Sequence, residues 1–174
     1  MMGSGKSAVG RRLAEALGVS FIDLDTRVER MFGQTVAEAF AQGEPHFRAR
    51  EWLALESLLD EPAFGHQGAV VATGGGTVVD PANRAAMDAV GARVLLRVPA
   101  EVLATRLTGT EAETRPLIAN ADDPAGALRV LWTARRDAYE RGACIVDADG
   151  DVATVLQRVL AALDLDPQTG ETSP

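Results

Sequence analysis

Lysine is almost absent from this chain: of its 17 cationic side chains only Lys6 is a lysine, and the rest are arginine. A bias that spares one position marks it, because a compact ammonium on a flexible stem fits a narrow loop where a planar guanidinium does not. Cysteine is nearly absent too. The single Cys144 excludes an internal disulfide framework and fits a reducing cytosol. Within "ACIVDA" it reads as a small buried strand residue rather than a reactive thiol, since neither histidine has a local motif around it. His46 reads as structural, because no second histidine or cysteine stands at metal-ligand spacing. No apolar run approaches the ~18 residues of a membrane span, and the glycine-rich opening "MMGSGKSAVG" is unlike a secretory signal. Positive charge is in deficit: a net charge of −8 argues against nucleic acid or an anionic membrane as the main partner. Anions can still bind if the few cations converge on one cleft.

At 174 residues the chain is expected to form one domain with a sizeable core. A helix is expected from about Lys6 to Leu17, stopped by Gly18. "VSFIDLD" reads as a strand ending in carboxylates, and two short helical pieces follow, "TRVERMFG" and "TVAEAFAQG". A longer helix covers about Glu44 to Leu59. "AVVATGGG" is a buried strand running into three glycines, and "DPANRAAMDAV" is a capped helix with Pro81 in its first turn. "RVLLRV" is a strand and "PAEVLATRLTG" a helix. "TEAETRPLIANADD" carries no clear period and is expected to form a mobile polar loop. A helix from about Pro124 to Gly142, the strand "CIVDA" and a helix from Asp151 to Leu163 complete a domain over 1–164, with a disordered tail over 165–174. Near-continuous apolar strands alternating with helices predict an α/β fold whose parallel sheet is covered on both faces. Ligands of such sheets bind beyond the carboxyl ends of the strands, where Asp23, Asp25, Gly74, Gly75 and Gly76 stand.

Several motifs carry chemistry. Gly3-Ser4-Gly5-Lys6-Ser7 is the back half of the phosphate-binding pattern G-x-x-x-x-G-K-[ST], whose first glycine would stand one residue ahead of Met1. Before a helix, this loop offers backbone N–H groups and a helix dipole to phosphates, and Ser7 can ligate Mg²⁺. "FIDLD" places Asp23 and Asp25 on one side of a strand. Asp25 could take the proton of an attacking hydroxyl or orient it, while Asp23 steadies Mg²⁺ through water; capping of the next helix is the competing reading for both. Arg48 and Glu51 in "EPHFRAREW" are three apart on a helix and can pair. An arginine so oriented suits bidentate capture of a carboxylate, although a solvated surface pair would look the same locally. Arg50 reads as a surface residue. The glycines of "ATGGGTV" allow close approach to the backbone. Arg115 in "ETRPLI" suits charge stabilisation from a closing segment, and "ARRDAY" offers Arg135 or Arg136.

Taken in order, "GSGKS", "FIDLD", "HFRARE", "TGGGTV", "TRPLI" and an R-x-x-x-Y helix resemble the shikimate kinase family over almost the whole chain. The resemblance implies a P-loop NTPase-like three-layer sandwich with strand order 2-3-1-4-5. It implies a cytoplasmic monomer that transfers the γ-phosphoryl of ATP to the 3-hydroxyl of shikimate, with Mg²⁺ as cofactor. Gly3, Ser4, Gly5, Lys6, Ser7 and Ala8 would line the nucleotide phosphates, with Lys6 on the β/γ-phosphates, Ser7 on the metal and Asp23 behind it. Asp25 would meet the reacting hydroxyl. Arg48, Gly75 and Arg135 would hold shikimate, and Arg115 would reach ATP from a lid over 108–122. Arg135 is preferred to Arg136 because the family places its arginine four residues before the tyrosine, here Tyr139.

The sequence departs from the family in places. Ala8 stands where threonine is usual, Asp137 where proline is usual, and "VDADGD" lacks an arginine found in some members. Neither the first P-loop glycine nor the strand before it is present. That strand is central in the family's order, between "AVVATG" and "RVLLRV", so the reading frame is expected to continue upstream of Met1 with an apolar run of about five residues, and the chain as given to fold poorly. Two competing readings remain open on sequence: a sugar-acid kinase such as gluconate kinase, and a nucleotide-binding paralogue with impaired catalysis.

Overall fold

In the computed structural model, which describes residues 1–107 and 123–166, the chain turns at Gly5 into helix α1 (Lys6–Leu17). Gly5 has φ 86°, a left-handed conformation that glycine alone adopts without strain. Gly18, also left-handed, ends α1 by donating to the carbonyls of Ala14 and Glu15. Strand β1 (Ser20–Asp23) follows, then α2 (Leu24–Phe32), α3 (Val36–Ala41), α4 (Glu44–Leu59) and α5 (Pro62–Gln67). Strand β2 (Ala69–Ala72) leads through a 3₁₀ turn at Thr77–Val79 to α6 (Pro81–Asp88), β3 (Val94–Arg97) and α7 (Ala100–Arg106). The remaining described elements are α8 (Pro124–Glu140), β4 (Cys144–Asp147) and α9 (Val152–Ala162).

The strands form two parallel ribbons. β1 pairs with β2 in the register Ser20↔Ala69 to Asp23↔Ala72, and β3 pairs with β4 in the register Val94↔Cys144 to Arg97↔Asp147. Among the described residues no strand pairs with the other edge of β2 or β3. A cavity of about 400 Å³ reaches both, lined by Val71 of β2, Leu95 of β3, Leu58 of α4 and Met1. The parallel strands expected from the sequence are present as these two ribbons, with a cleft between β2 and β3 among the described residues. One core joins α1, α7, α8 and α9 to β3 and β4 through Leu96, Leu103, Leu128 and Val155. A second, around Leu24, Val28, Phe47 and Leu55, welds α2 to α4. Among the described residues no helix is long and apolar enough to cross a membrane.

Five details differ from the sequence reading. The strand "VSFIDLD" stops at Asp23, whose carboxylate accepts the Thr26 N–H and caps α2. Asp25 thus sits in the first turn of α2, not on the strand, because a carboxylate is favoured where helix N–H groups lack partners. Helix α5, opened by Pro62 in its first turn, was not anticipated. Cys144 is half-buried rather than buried, its thiol 3.6 Å from the Ala162 carbonyl. Arg50 is half-buried against the Phe32 ring and bonded to Gln34, not a free surface residue. The expected tail begins too early: Leu165 donates its N–H to the Leu160 carbonyl and packs on the core, beyond a left-handed Asp164 at φ 53°. That six-to-one bond closes a Schellman end on α9. Residues 108–122, where the loop, lid and Arg115 are expected, and residues 167–174 lie outside the described residues.

Candidate active site

A helix N-terminus leaves backbone N–H groups without partners inside the helix. At α1 the capping residue is Gly5, which has no side chain to take them, so they are available to a phosphate. Gly3 and Gly5 both turn left-handed, at φ 70° and 86°, and curl the loop around the carbonyl of Met1. The Lys6 ammonium donates to that oxygen at 2.6 Å and the buried Ser4 hydroxyl at 2.9 Å. The Ser7 hydroxyl donates to Asp23 Oδ2 at 2.7 Å. Over the loop lies a cavity of about 250 Å³ lined by Gly5, Lys6, Ser7 and Ala8, with Asp23, Asp25 and Gly75 across it. A hydroxyl and a carboxylate in contact are hard oxygen donors of the kind Mg²⁺ takes when phosphates complete its shell. The residues fit that ion.

Next to this cavity α4 presents Arg48. Its Nη1 donates to Glu51 Oε2 at 2.6 Å, and its Nη2 to Glu44 Oε1 at 3.0 Å. Glu51 is fully buried, and its other oxygen accepts the Thr77 hydroxyl at 2.5 Å. Thr77, also fully buried, is held in turn by Asn83, whose amide donates to the Thr77 carbonyl at 2.8 Å. Burial works against the charge on Arg48, but Glu51 and then Glu44 outweigh it and hold the guanidinium pKa above its usual value. The pair is therefore not the solvated surface bridge that its spacing also allowed. Its environment fixes the guanidinium in one orientation, as bidentate carboxylate capture requires.

The triple glycine packs against this arrangement. A Cβ on Gly74 would lie 2.6 Å from Glu51 Oε1 and 2.9 Å from Asp25 Oδ1, and one on Gly76 would strike the Arg48 guanidinium. None of the three has a left-handed φ. At Gly74 two carboxylates, and at Gly76 an arginine, come too close for a side chain, whereas a Cβ on Gly75 would meet only the Met1–Met2 backbone, at 3.5 Å or more. From the other side α8 brings Arg135, half-buried, and Tyr139, buried, while Arg136 points outward to Glu140 at 3.0 Å and Asp137 is exposed. A second cavity, of about 160 Å³, lies between Arg48, Arg135, Phe40, Phe47 and the glycines. Met2, Asp25 and Gly75 line both cavities, which therefore adjoin there.

Glu44, legible only as a carboxylate one turn before Arg48, and Thr77 and Asn83, which carry no sequence signal, were not anticipated at the site. Glu51→Gln keeps the shape and removes the charge. Hydrogen bonds to charged groups contribute ~1.5–3 kcal/mol, and in a chain of this size each kcal/mol moves Tm by ~2–4 °C. Thermal unfolding of this variant is expected to come about 5 °C earlier or more, following those magnitudes; an unchanged Tm would mean that the buried carboxylate contributes nothing to folding.

Comparisons with known proteins bear on this geometry. The shikimate kinase family model matches residues 2–164. A curated shikimate kinase from Halorhodospira halophila is 38% identical over 169 residues, covering 95% of this chain and 91% of that protein. The structure of shikimate kinase from Acinetobacter baumannii in complex with shikimate superposes with a TM-score of 0.81 at 34% identity, covering 91% of this chain and 86% of that one. A gluconokinase from Sinorhizobium meliloti reaches a TM-score of 0.57 at 24% identity, covering 92% and 85%, a likeness of fold alone. With a family model matched over residues 2–164 and curated relatives of this identity, the chain belongs to the shikimate kinase family.

Proposed function

We propose that this protein is a shikimate kinase, transferring the γ-phosphoryl of ATP to the 3-hydroxyl of shikimate to give shikimate 3-phosphate and ADP. The observation that carries the reading is the meeting of a phosphate-loop cavity and an arginine-lined cavity at Asp25 and Gly75. A phosphoryl donor in the first and a hydroxy acid in the second face each other across Asp25.

The roles follow from chemistry. Phosphoryl transfer needs positioning and charge stabilisation more than covalent help. The α1 N-terminus and the N–H groups of Gly3 to Ala8 cradle the phosphates. Lys6 exchanges the Met1 carbonyl for the β/γ-phosphate oxygens. Ser7 and Asp23 would hold Mg²⁺, which would supply positive charge to offset that of the phosphates. Asp25 accepts or orients the proton of the attacking hydroxyl. Arg48 and Arg135 take the substrate carboxylate, and Gly75 contributes backbone groups beside them. Arg115 belongs to the segment outside the described residues; we assign it to ATP and that segment to a lid. The enzyme is read as a cytoplasmic monomer.

The test is direct. ADP release should be seen with shikimate and not with gluconate; turnover with gluconate alone would replace the reading, and absence of any ATP turnover would favour the impaired paralogue. Arg48→Ala is expected to raise the KM for shikimate about ten- to a hundredfold, since a charge-assisted bond contributes ~1.5–3 kcal/mol, with little change for ATP. A selective loss of ATP affinity would remove Arg48 from the acid site. Proteolysis within Glu111 to Glu113 should be suppressed by an ATP analogue with shikimate, and equal cleavage with and without ligands would remove the lid.

A further inference from the structure

Tyr139 is the only tyrosine in the chain, and it is buried. Its hydroxyl donates to the Gly75 carbonyl at 2.5 Å, joining positions 64 residues apart. Its ring stacks on Trp132, with centroids 5.6 Å apart. We propose that Tyr139 is a positioning residue for the acid substrate, its bond to Gly75 setting the spacing between Arg135 on α8 and Arg48 on α4. The inference rests on the shikimate kinase reading above.

Two links of the chain make the bond consequential. Arg135 stands one turn before Tyr139 on the same face of α8, because residues four apart on a helix lie one above the other. Holding Tyr139 therefore holds the stretch of helix from which Arg135 reaches the cavity. On the other side, the Gly75 carbonyl belongs to the peptide whose N–H is that of Gly76. A planar trans peptide points these groups in opposite directions, so pinning the carbonyl also fixes the Gly76 backbone. Gly76 lies directly against the Arg48 guanidinium, where a Cβ would collide with it. One hydroxyl thus ties together the two elements that bring cations to the substrate carboxylate. Burial raises the phenol pKa above its usual value against the pull of Arg135 and then Arg48. The electrostatic reach of both arginines to this phenol fits its place between them.

Tyr139→Phe keeps the ring and removes one oxygen. In the full chain it is expected to raise the KM for shikimate about tenfold, the loss that misplacement of a catalytic or binding group by a fraction of its reach can produce, while the KM for ATP stays within about twofold. Because Tyr139 acts through Arg135, the same substitution in an Arg135→Ala background should change the shikimate KM less than about twofold, the signature of coupled sites. 4-Aminophenylalanine at position 139, which keeps ring and donor, should restore the native KM. An unchanged shikimate KM in Tyr139→Phe, full additivity with Arg135→Ala, no rescue by the amino analogue, or a Phe variant that unfolds at the assay temperature would each overturn the proposal. A parent chain that turns over ATP but not shikimate would instead overturn the functional reading, so the two failures are separable.

Discussion

Lys6→Ala is expected to lower turnover of shikimate by ~10²–10³, the loss typical when one preorganised group facing developing charge is removed. The ammonium lies at the N-terminus of α1, over the loop, 2.6 Å from the Met1 carbonyl. That oxygen is also bonded by Ser4 at 2.9 Å, so the Ser4 tie remains when the lysine turns to a phosphate. The interaction it then makes grows as charge moves onto the phosphoryl oxygens, which is why the loss should appear in kcat. Lys6→Arg is not expected to rescue the rate, because a planar five-donor fork cannot follow a moving oxygen inside a loop as a compact ammonium does. Steady-state ADP release from both variants measures this; turnover of Lys6→Ala within a few-fold of the parent would remove the phosphate-loop assignment.

The second large effect concerns the cleft between the ribbons. β2 and β3 turn toward it edges that no described strand pairs, and its walls include Leu58, Val71 and Leu95. Backbone groups left without partners away from water cost ~1–3 kcal/mol each, whereas a made hydrogen bond contributes ~0.5–1.5 kcal/mol net. An apolar strand of about five residues, the usual strand length, laid parallel between the two edges would pair both at once. A version of the protein with such a run and a glycine joined ahead of Met1 is expected to gain a few kcal/mol, and so to melt about 10 °C above the 174-residue chain at ~2–4 °C per kcal/mol. Placing the same residues after Pro174 should give no gain. Equal Tm values for the two versions would mean that the cleft does not take a strand.

Elements with strong local signals were legible from one dimension. The sequence placed α1, with its glycine stop, and α4 where the structure has them, at Lys6–Leu17 and Glu44–Leu59. The motifs of the site were legible for the same reason: a phosphate loop, a carboxylate pair and a glycine triplet are contiguous, so their chemistry shows before the chain folds. Where local signals competed, the reading went astray. Leu24 and Asp25 look like the end of a strand, but Asp23 caps the next helix, and a favourable cap outweighs two more residues of strand.

The sequence by itself determined which chemistry is present: one lysine in a phosphate loop, arginines for an acid, aspartates between them, and the family that this order marks. Only the tertiary structure decided how these groups act on one another. It buried Glu51 beneath Arg48 and Thr77, turned Arg136 outward and left Arg135 at the cavity, and set Tyr139 on a carbonyl 64 positions away. Those outcomes depend on packing between α4, the glycine turn and α8, elements far apart along the chain. Burial and hydrogen-bond partners there are set by non-local contacts, for which no local pattern of residues carries a signal.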